Sequence, residues 1–295
     1  MSIFKSTRFT KKILFLSAGA ILAVAILSIV LWRIFSHKED KPINPAFASY
    51  IEAYSAGLLS KQAAIRVQLA PSVTTAHATN DVDDQQLFTF KPAIKGKSYW
   101  VDARTIEFRP DEDLTPGKTY EVNFKLGKIV SVVTELENFT FEFDVIKPNF
   151  KVQQDGLKSF NSASPERMKL TGMLFLSDAE EPAKIEQLLS AACGVTPLAI
   201  RWTHSVADST SHFSIDSVML TAQGQKLNLR WDGKAIGADT RGSKTIDVPA
   251  KGVFKVLDIR AVHEPEQYLL VQFSSPVLAT QDLNGLISIS GATNL

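Results

Sequence analysis

Cysteine is nearly missing from this chain: Cys193 is the single thiol in 295 residues. One thiol excludes an internal disulfide framework and a cysteine-rich metal site, and says little about compartment. A dominant charge is missing too. The formal net charge is +1, and Lys5, Arg8, Lys11 and Lys12 precede a long apolar run, so the remainder stands at about −3. A mildly acidic body with no basic face in sequence argues against nucleic acid as a partner. Glycine-rich phosphate loops, a serine elbow and a carboxylate pair are absent as motifs. The sequence therefore nominates no catalytic residue, no cofactor and no metal ligand set, and the expectation is a protein that binds or supports and is not an enzyme.

What is present is dominated by residues 87–145. Phe88 and Phe90 alternate with Thr89 and Lys91, and Ile106 and Phe108 with Glu107 and Arg109. Tyr120, Val122, Phe124 and Leu126 continue the pattern, and Phe139, Phe141, Phe143 and Val145 close it. Period-two alternation puts one side of each strand in a core and the other in water, as in a half-buried antiparallel sheet. Lys95-Gly96 is a turn candidate, and Thr115-Pro116-Gly117-Lys118 suits a type II turn, with proline presetting φ and glycine accepting the positive φ that follows. Further upstream, Phe47 to Tyr54 predicts a first strand, Ala56-Gly57 a turn and Ile65 to Leu69 a second strand. Thr74 to Gln86 reads as a polar loop. Asp81, Asp83 and Asp84 within it lack the glycine and distal glutamate of an EF-hand, so a solvated acidic loop is the expectation.

Ile13 to Trp32 carries no charge and is closed by Arg33. At about 1.5 Å per residue, it would span roughly the 30 Å of a bilayer core. The apolar core of a secretory signal is shorter, so an uncleaved anchor is the preferred reading over a cleaved signal. Basic residues before the span predict a cytoplasmic N-terminus with the body outside. Ser36 to Pro45, with Pro42 and Pro45, reads as a linker.

After Lys147-Pro148 the pattern changes. Leu170 to Leu176 predicts an apolar strand. Asp178 three before Glu181, with Pro182 next, resembles a helix start, and Ile185, Leu188, Leu189 and Ala192 fall at helical spacing before Gly194. One amphipathic helix is expected to pack on strands Leu198–Trp202, Phe213–Ile215, Val218–Leu220 and Leu227–Trp231, the last closing on Asp232-Gly233 as a hairpin turn. The helix leaves a sandwich and other β layouts both open for this part. Further on, Val271-Gln272-Phe273-Ser274 repeats the character of Val67-Gln68-Leu69-Ala70, which marks an array of like domains. Tyr268–Phe273 and Leu286–Ile289 alone would leave apolar edges exposed, so the chain is expected to be the front of a longer protein.

His204 and His212, with Asp208 and Asp216, could be offered as a metal or acid-base set, but their spacing is wider than paired histidine ligands use. Histidines bonded to backbone at strand ends are the ordinary reading. Trp202 and Trp231 could stack a sugar, against core packing as the simpler role. Cys193 ends the predicted helix face and is expected to be buried and inert.

The run Phe88 to Ile129, with its phenylalanine-rich strand, Pro92 and Gly96 corner, Trp100, and Phe108-Arg109-Pro110, resembles the first macroglobulin-like domain of bacterial α2-macroglobulins, membrane-attached protease traps. The order LTGMLFLSDAEE, IRWTH, HFSIDSV, LRWDGKAIG and VPAKGVFKV resembles the second region of the same family. The resemblance implies a mainly β chain of tandem immunoglobulin-like (macroglobulin-like) antiparallel β-sandwiches, with one short amphipathic helix in the second, after an N-terminal transmembrane helix. The expected division is a basic tail and anchor (1–36), a linker (37–46), a first sandwich (47–147), a second β-rich domain (148–250) and the start of a third sandwich (251–295). The implied function is the structural N-terminal part of a protease inhibitor. Its partners are the membrane through residues 13–32 and target proteases through parts lying outside this chain, and its place is the bacterial inner membrane with the body in the periplasm. An anchored immunoglobulin-like adhesion, glycan-binding or scaffold protein is the alternative. Two departures stand out. No cysteine follows the apolar run, whereas many family members are lipoproteins, and Cys193-Gly194-Val195-Thr196 lacks the glutamine of a Cys-x-x-Gln thioester.

Overall fold

The computed structural model describes residues 43–73, 80–160, 164, 166–205, 209–263, 265–277, 280 and 282. The expected membrane span at Ile13–Trp32, the linker to residue 42 and Leu286–Ile289 lie outside the described residues. Among the described residues, no helix is long and apolar enough to cross a membrane. The described residues from Ala46 onward form one compact unit.

The first half carries β1 (Ile51–Tyr54), β2 (Gly57–Leu59), β3 (Ile65–Leu69), β4 (Asp81–Asp83), β5 (Phe88–Lys91), β6 (Gly96–Trp100), β7 (Thr105–Pro110), β8 (Thr119–Phe124) and β9 (Phe139–Val145). They form a five-stranded sheet in the order β1-β3-β7-β6-β4 and a four-stranded sheet in the order β2-β9-β8-β5. Alternation sets the faces as expected. In β9, Phe139, Phe141, Phe143 and Val145 are buried and their neighbours are not. In β8 the same holds for Tyr120, Val122 and Phe124. These side chains meet Ile65, Val67 and Leu69 of the opposite sheet in one core. Burying each large apolar side chain contributes about 1.5–3 kcal/mol. The turn before β8 is as the sequence predicts: Gly117 has φ +71, and the N–H of Lys118 donates to Thr115 O at 3.3 Å.

Several local expectations are corrected. Pro45–Ser49 is a 3-10 turn, so the first strand begins only at Ile51. Gly57 opens a short strand where a turn was expected. β1 belongs to one sheet and β2 to the other, where β2 pairs parallel with β9 through Gly57↔Phe143 and Leu59↔Val145. Splitting one strand between sheets covers an edge on each, which limits unwanted pairing. Gly96 begins β6 and does not end a turn, and β6 is a strand that the alternation missed. Asp81 and Asp83 lie in β4, paired with Trp100 and Ser98; the ladder from β6 overrides their poor strand propensity.

The second half carries β10 (Phe150–Ser159), β11 (Arg167–Leu176), α1 (Pro182–Ile185), β12 (Leu189–Cys193), β13 (Thr196–Leu198), β14 (Arg201–Ser205), β15 (Thr210–Met219), β16 (Gln225–Asp232) and β17 (Arg241–Val248). Two four-stranded sheets, β10-β11-β15-β14 and β13-β12-β16-β17, enclose a second core. Met168, Leu170, Leu174, Phe213 and Ile215 come from one sheet, Leu189, Leu227 and Leu229 from the other. The second half is therefore also a sandwich.

The predicted helix is much shorter than its apolar spacing suggests. α1 has four residues, a 3-10 turn follows over Glu186–Leu188, and Leu189–Cys193 is a strand. Leu189 fits the helical spacing, but Leu189 and Ala191 also alternate inward at period two. Pairing with β16 and β13 decides for the strand, because it supplies backbone partners on both sides. Gly194, at φ +59, turns β12 into β13 and caps no helix. Asp232-Gly233 likewise starts a 3-10 turn over Gly233–Ile236 and not a tight hairpin, with the Asp232 carboxylate accepting from Lys234 N. A final hairpin, β18 (Val256–Val262) and β19 (Tyr268–Phe273), lies against β10.

Candidate functional site

The two histidines are not brought together. His204 of β14 pairs with Ser211 of β15, and His212 pairs with Thr203, so the two rings lie on opposite faces of the sheet. His204 Nδ1 is 2.9 Å from Ser211 Oγ, and its Nε2 is 3.3 Å from Glu186 Oε1. With the proton on Nε2, Ser211 donates to the ring and the ring donates to Glu186, so each group is satisfied. Serine, histidine and glutamate in that order resemble an activated nucleophile. Ser211, however, is only 1% exposed, and its hydroxyl is taken up by the His204 ring. The chain of bonds instead ties β14 and β15 to the turn at Glu186. The cleft beside it has about 40 Å³ of free volume, room for a few waters.

Asp208 lies outside the described residues. Asp216 is buried and neutralised, with Arg201 at 3.2 Å, Lys169 at 3.6 Å and the Ser214 hydroxyl bonded to it. Trp202 stacks on His204 and meets Phe213, and the Trp231 ring crosses Gly242; both rings border the second core. Cys193 is half-buried on β12, and burial pushes its thiol pKa up, the direction of an unreactive thiol.

The strongest polar constellation was not legible in the sequence. It joins the loop after β2 to the loop after β11. Ser60 Oγ donates to Asp178 Oδ1 at 2.6 Å, and Lys61 N donates to Asp178 Oδ2 at 2.8 Å. Lys61 Nζ meets Glu180 Oε2 at 2.8 Å, with only 10% and 8% of these side chains exposed. Lys184 reaches the other oxygen of Glu180 at 3.4 Å, and Asp113 stands 3.7 Å from Lys61. The free volume at this elbow is about 10 Å³, enough for one water. The two sandwiches are thus joined by a buried, bidentate charged clamp. Only the capping-type spacing of Asp178 hinted at it, and that carboxylate serves the partner sandwich in place of a helix start.

Burial raises the pKa of Glu180, but the Lys61 hydrogen bond, the Glu181 N–H and the charges of Lys61 and Lys184 outweigh it and leave the carboxyl below its usual value. Glu107, buried under Arg109 at 2.6 Å and Arg66, is lowered by the same balance: desolvation opposes, and the Arg109 and Arg66 hydrogen bonds win. A carboxylate depressed in the folded state contributes stability above its unfolded pKa and loses it as pH falls through the folded one. Stability is therefore expected to be flat near neutrality and to fall from about pH 4.5 downward. Urea midpoints measured from pH 7 to pH 3 check this, and a Glu180→Gln variant should show a shallower decline.

These sheets, with strand one split between them and a second sandwich following, define an immunoglobulin-like β-sandwich protein. The particular likeness is to a bacterial module: residues 43–145 match the family model of the bacterial Ig-like domain. No curated protein matches the sequence. Among solved structures, an L,D-transpeptidase from Mycobacterium tuberculosis H37Rv aligns at 11% identity over 52% of this chain and 59% of that one, with a TM-score of 0.23. L,D-transpeptidase 3 from Mycobacterium tuberculosis, in complex with a faropenem-derived adduct, aligns at 11% identity over 54% and 64%, with a TM-score of 0.23. The N-terminal eight Ig domains of Down Syndrome Cell Adhesion Molecule align at 11% identity over 68% and 27%, with a TM-score of 0.21. The chain thus spans about three-fifths of the two transpeptidase chains. Overlaps of this quality carry no argument about activity.

Proposed function

We propose that this chain is the anchored N-terminal arm of a bacterial α2-macroglobulin-like protease inhibitor, a strut without chemistry of its own. The clamp at Ser60, Lys61, Asp178 and Glu180 carries the reading. An arm that positions a trap must hold its angle, and a buried bidentate joint does so where a flexible linker would not. Residues 13–32 would hold the arm in the inner membrane with the N-terminus in the cytoplasm, and target proteases would be engaged by parts outside this chain. A second reading, an anchored immunoglobulin-like adhesion, glycan-binding or envelope-scaffold protein, is supported by the bacterial Ig-like match over residues 43–145. The mass of the native protein in isolated membranes, detected with an antibody to residues 47–250, separates the two. A product several times heavier than 32.5 kDa is expected. A product of about 32.5 kDa would remove the trap and leave the scaffold.

A further inference from the structure

The hairpin of β18 and β19 is joined to the second sandwich quite differently from the way the two sandwiches are joined to each other. At the first joint the clamp is buried and each of its groups has a partner. The connecting residues there are tied on both sides: Ile146 N donates to Leu59 O, Asn149 N to Ser177 Oγ, and the Thr240 hydroxyl to Asn149 Oδ1. At the second joint the chain passes from one body to the other within Lys251-Gly252-Val253. Lys251 N donates to Thr221 O at 2.8 Å, which ties it to the second sandwich. Val253 O accepts from Ser274 Oγ at 2.8 Å, which ties it to the hairpin. Gly252 stands between these ties at φ +81, spanned by a turn bond from Val253 N to Ala250 O, and a methyl group added to it would meet nothing within 4 Å. A glycine in open space between two fixed neighbours is where backbone rotation meets least resistance.

The polar contacts that hold the hairpin against β10 are weak by the same comparison. Arg260 Nη1 is 4.0 Å from Asp155 Oδ1, with 36% and 35% of these side chains exposed, while Arg260 Nε bonds to Asp258 on its own strand. A pair so exposed favours the docked arrangement by no more than about fivefold. Against it stands Gln272 Oε1, a buried oxygen that no donor reaches among the described residues. It is pressed against the bulge of β10: a methyl group added at Gly156 would lie 3.1 Å from it and 3.2 Å from Arg260 Nη2. Burying an unbonded amide oxygen costs about fivefold or more, so the two effects nearly cancel. Leu257, packed at the border of the second core, is the apolar anchor. It lies close along the chain to Gly252, so rotation there moves it least.

We infer that Gly252 and the Asp155–Arg260 pair are the hinge and the latch of a compliant second joint. The hairpin swings about Gly252 between the docked position and one in which Arg260 and Gln272 leave Gly156 for water. On opening, Gln272 regains hydrogen bonds, Asp155 keeps Thr171 Oγ1 at 2.9 Å, and Arg260 keeps Asp258. The two sandwiches thus keep a fixed angle through the clamp, and the chain changes direction only after Lys251. The inference stands under the trap and the scaffold reading alike.

The test uses the full chain in membranes, with Cys193→Ala as background and spin labels on pairs of introduced cysteines. Val195→Cys with Tyr268→Cys spans the hinge, and Val195→Cys with Leu58→Cys spans the clamp; all three positions are exposed. Electron dipolar distances across the hinge are expected in two populations that differ by no more than about fivefold. The open one should grow about twofold between about 0.05 M and about 0.5 M salt, because an exposed ion pair is screened. It should grow at least about threefold in Asp155→Lys, which turns the attraction for Arg260 into repulsion. Distances across the clamp should stay in one narrow population throughout, which also verifies that each variant is folded. One narrow population across the hinge that neither salt nor Asp155→Lys moves would overturn the inference, as would equal broadening across hinge and clamp. The native mass bears on the trap alone, so that reading and this one fail separately.

Discussion

Lys61→Met is expected to cost about 3 kcal/mol, the lower end of what breaking a buried ion pair costs. Glu180, 8% exposed, would keep its charge with Lys184 as the remaining cation at 3.4 Å. Lys184 is more exposed, at 42%, and cannot replace a contact of 2.8 Å from a buried ammonium. The double variant Lys61→Met/Glu180→Leu should recover most of the loss, since removing both partners leaves no buried charge uncompensated. Calorimetry of the four proteins of this cycle measures the coupling. The single variant should also separate the unfolding of the two sandwiches into two transitions. A loss below about 1 kcal/mol, the range of surface pairs, would mean that the elbow is wet and the arm free to bend.

Phe139→Ala is expected to cost about 3–5 kcal/mol, as large-to-small changes at packed aromatic sites do. Phe139 is 1% exposed and lies 4.9 Å from Phe47, 5.0 Å from Tyr54 and 5.4 Å from Phe141 by ring centroids. Removing the ring takes away the contact that holds β1 and the 3-10 turn before it against β9. Against a typical domain stability of about 5–15 kcal/mol, the loss is a large share of the total. The urea midpoint reads it. Val195→Ser, at a fully exposed turn position, should stay within about 0.5 kcal/mol of the parent. If Phe139→Ala did the same, the aromatic cluster would not be the core of this sandwich.

Both expectations concern residues of very different legibility. Phe139 announces itself, because Phe139, Phe141, Phe143 and Val145 alternate without a break and only one face of a strand can hold them. The Thr115-Pro116-Gly117-Lys118 turn is equally local: its proline and glycine supply the backbone angles that the turn requires. Lys61 announces nothing. Its partner lies 119 positions away, and a lysine in a Ser-Lys-Gln loop reads as solvated until a second domain closes over it. Glu107 is similar, an outward residue by alternation that Arg66 and Arg109 then cover.

The stretch Ile185 to Cys193 shows where local pattern runs out. Its apolar residues fit a helix and a strand alike, and short apolar runs are ambiguous by nature. β16, more than thirty residues later in the chain, offers a ladder, and hydrogen bonding to it makes Leu189–Cys193 a strand. β4 is decided the same way, with two aspartates held extended because β6 needs an edge partner.

What the sequence determined by itself is the β class, the inner faces of the long strands, their tight turn and the absence of a disulfide framework, all consequences of side-chain period and backbone preference within a few residues. Tertiary structure alone decided the division of the first strand between two sheets, the brevity of the helix, the separation of His204 from His212 and the clamp between the sandwiches. Each of these depends on which backbone edge or buried charge finds a partner far along the chain, and that pairing exists only once the sheets have closed.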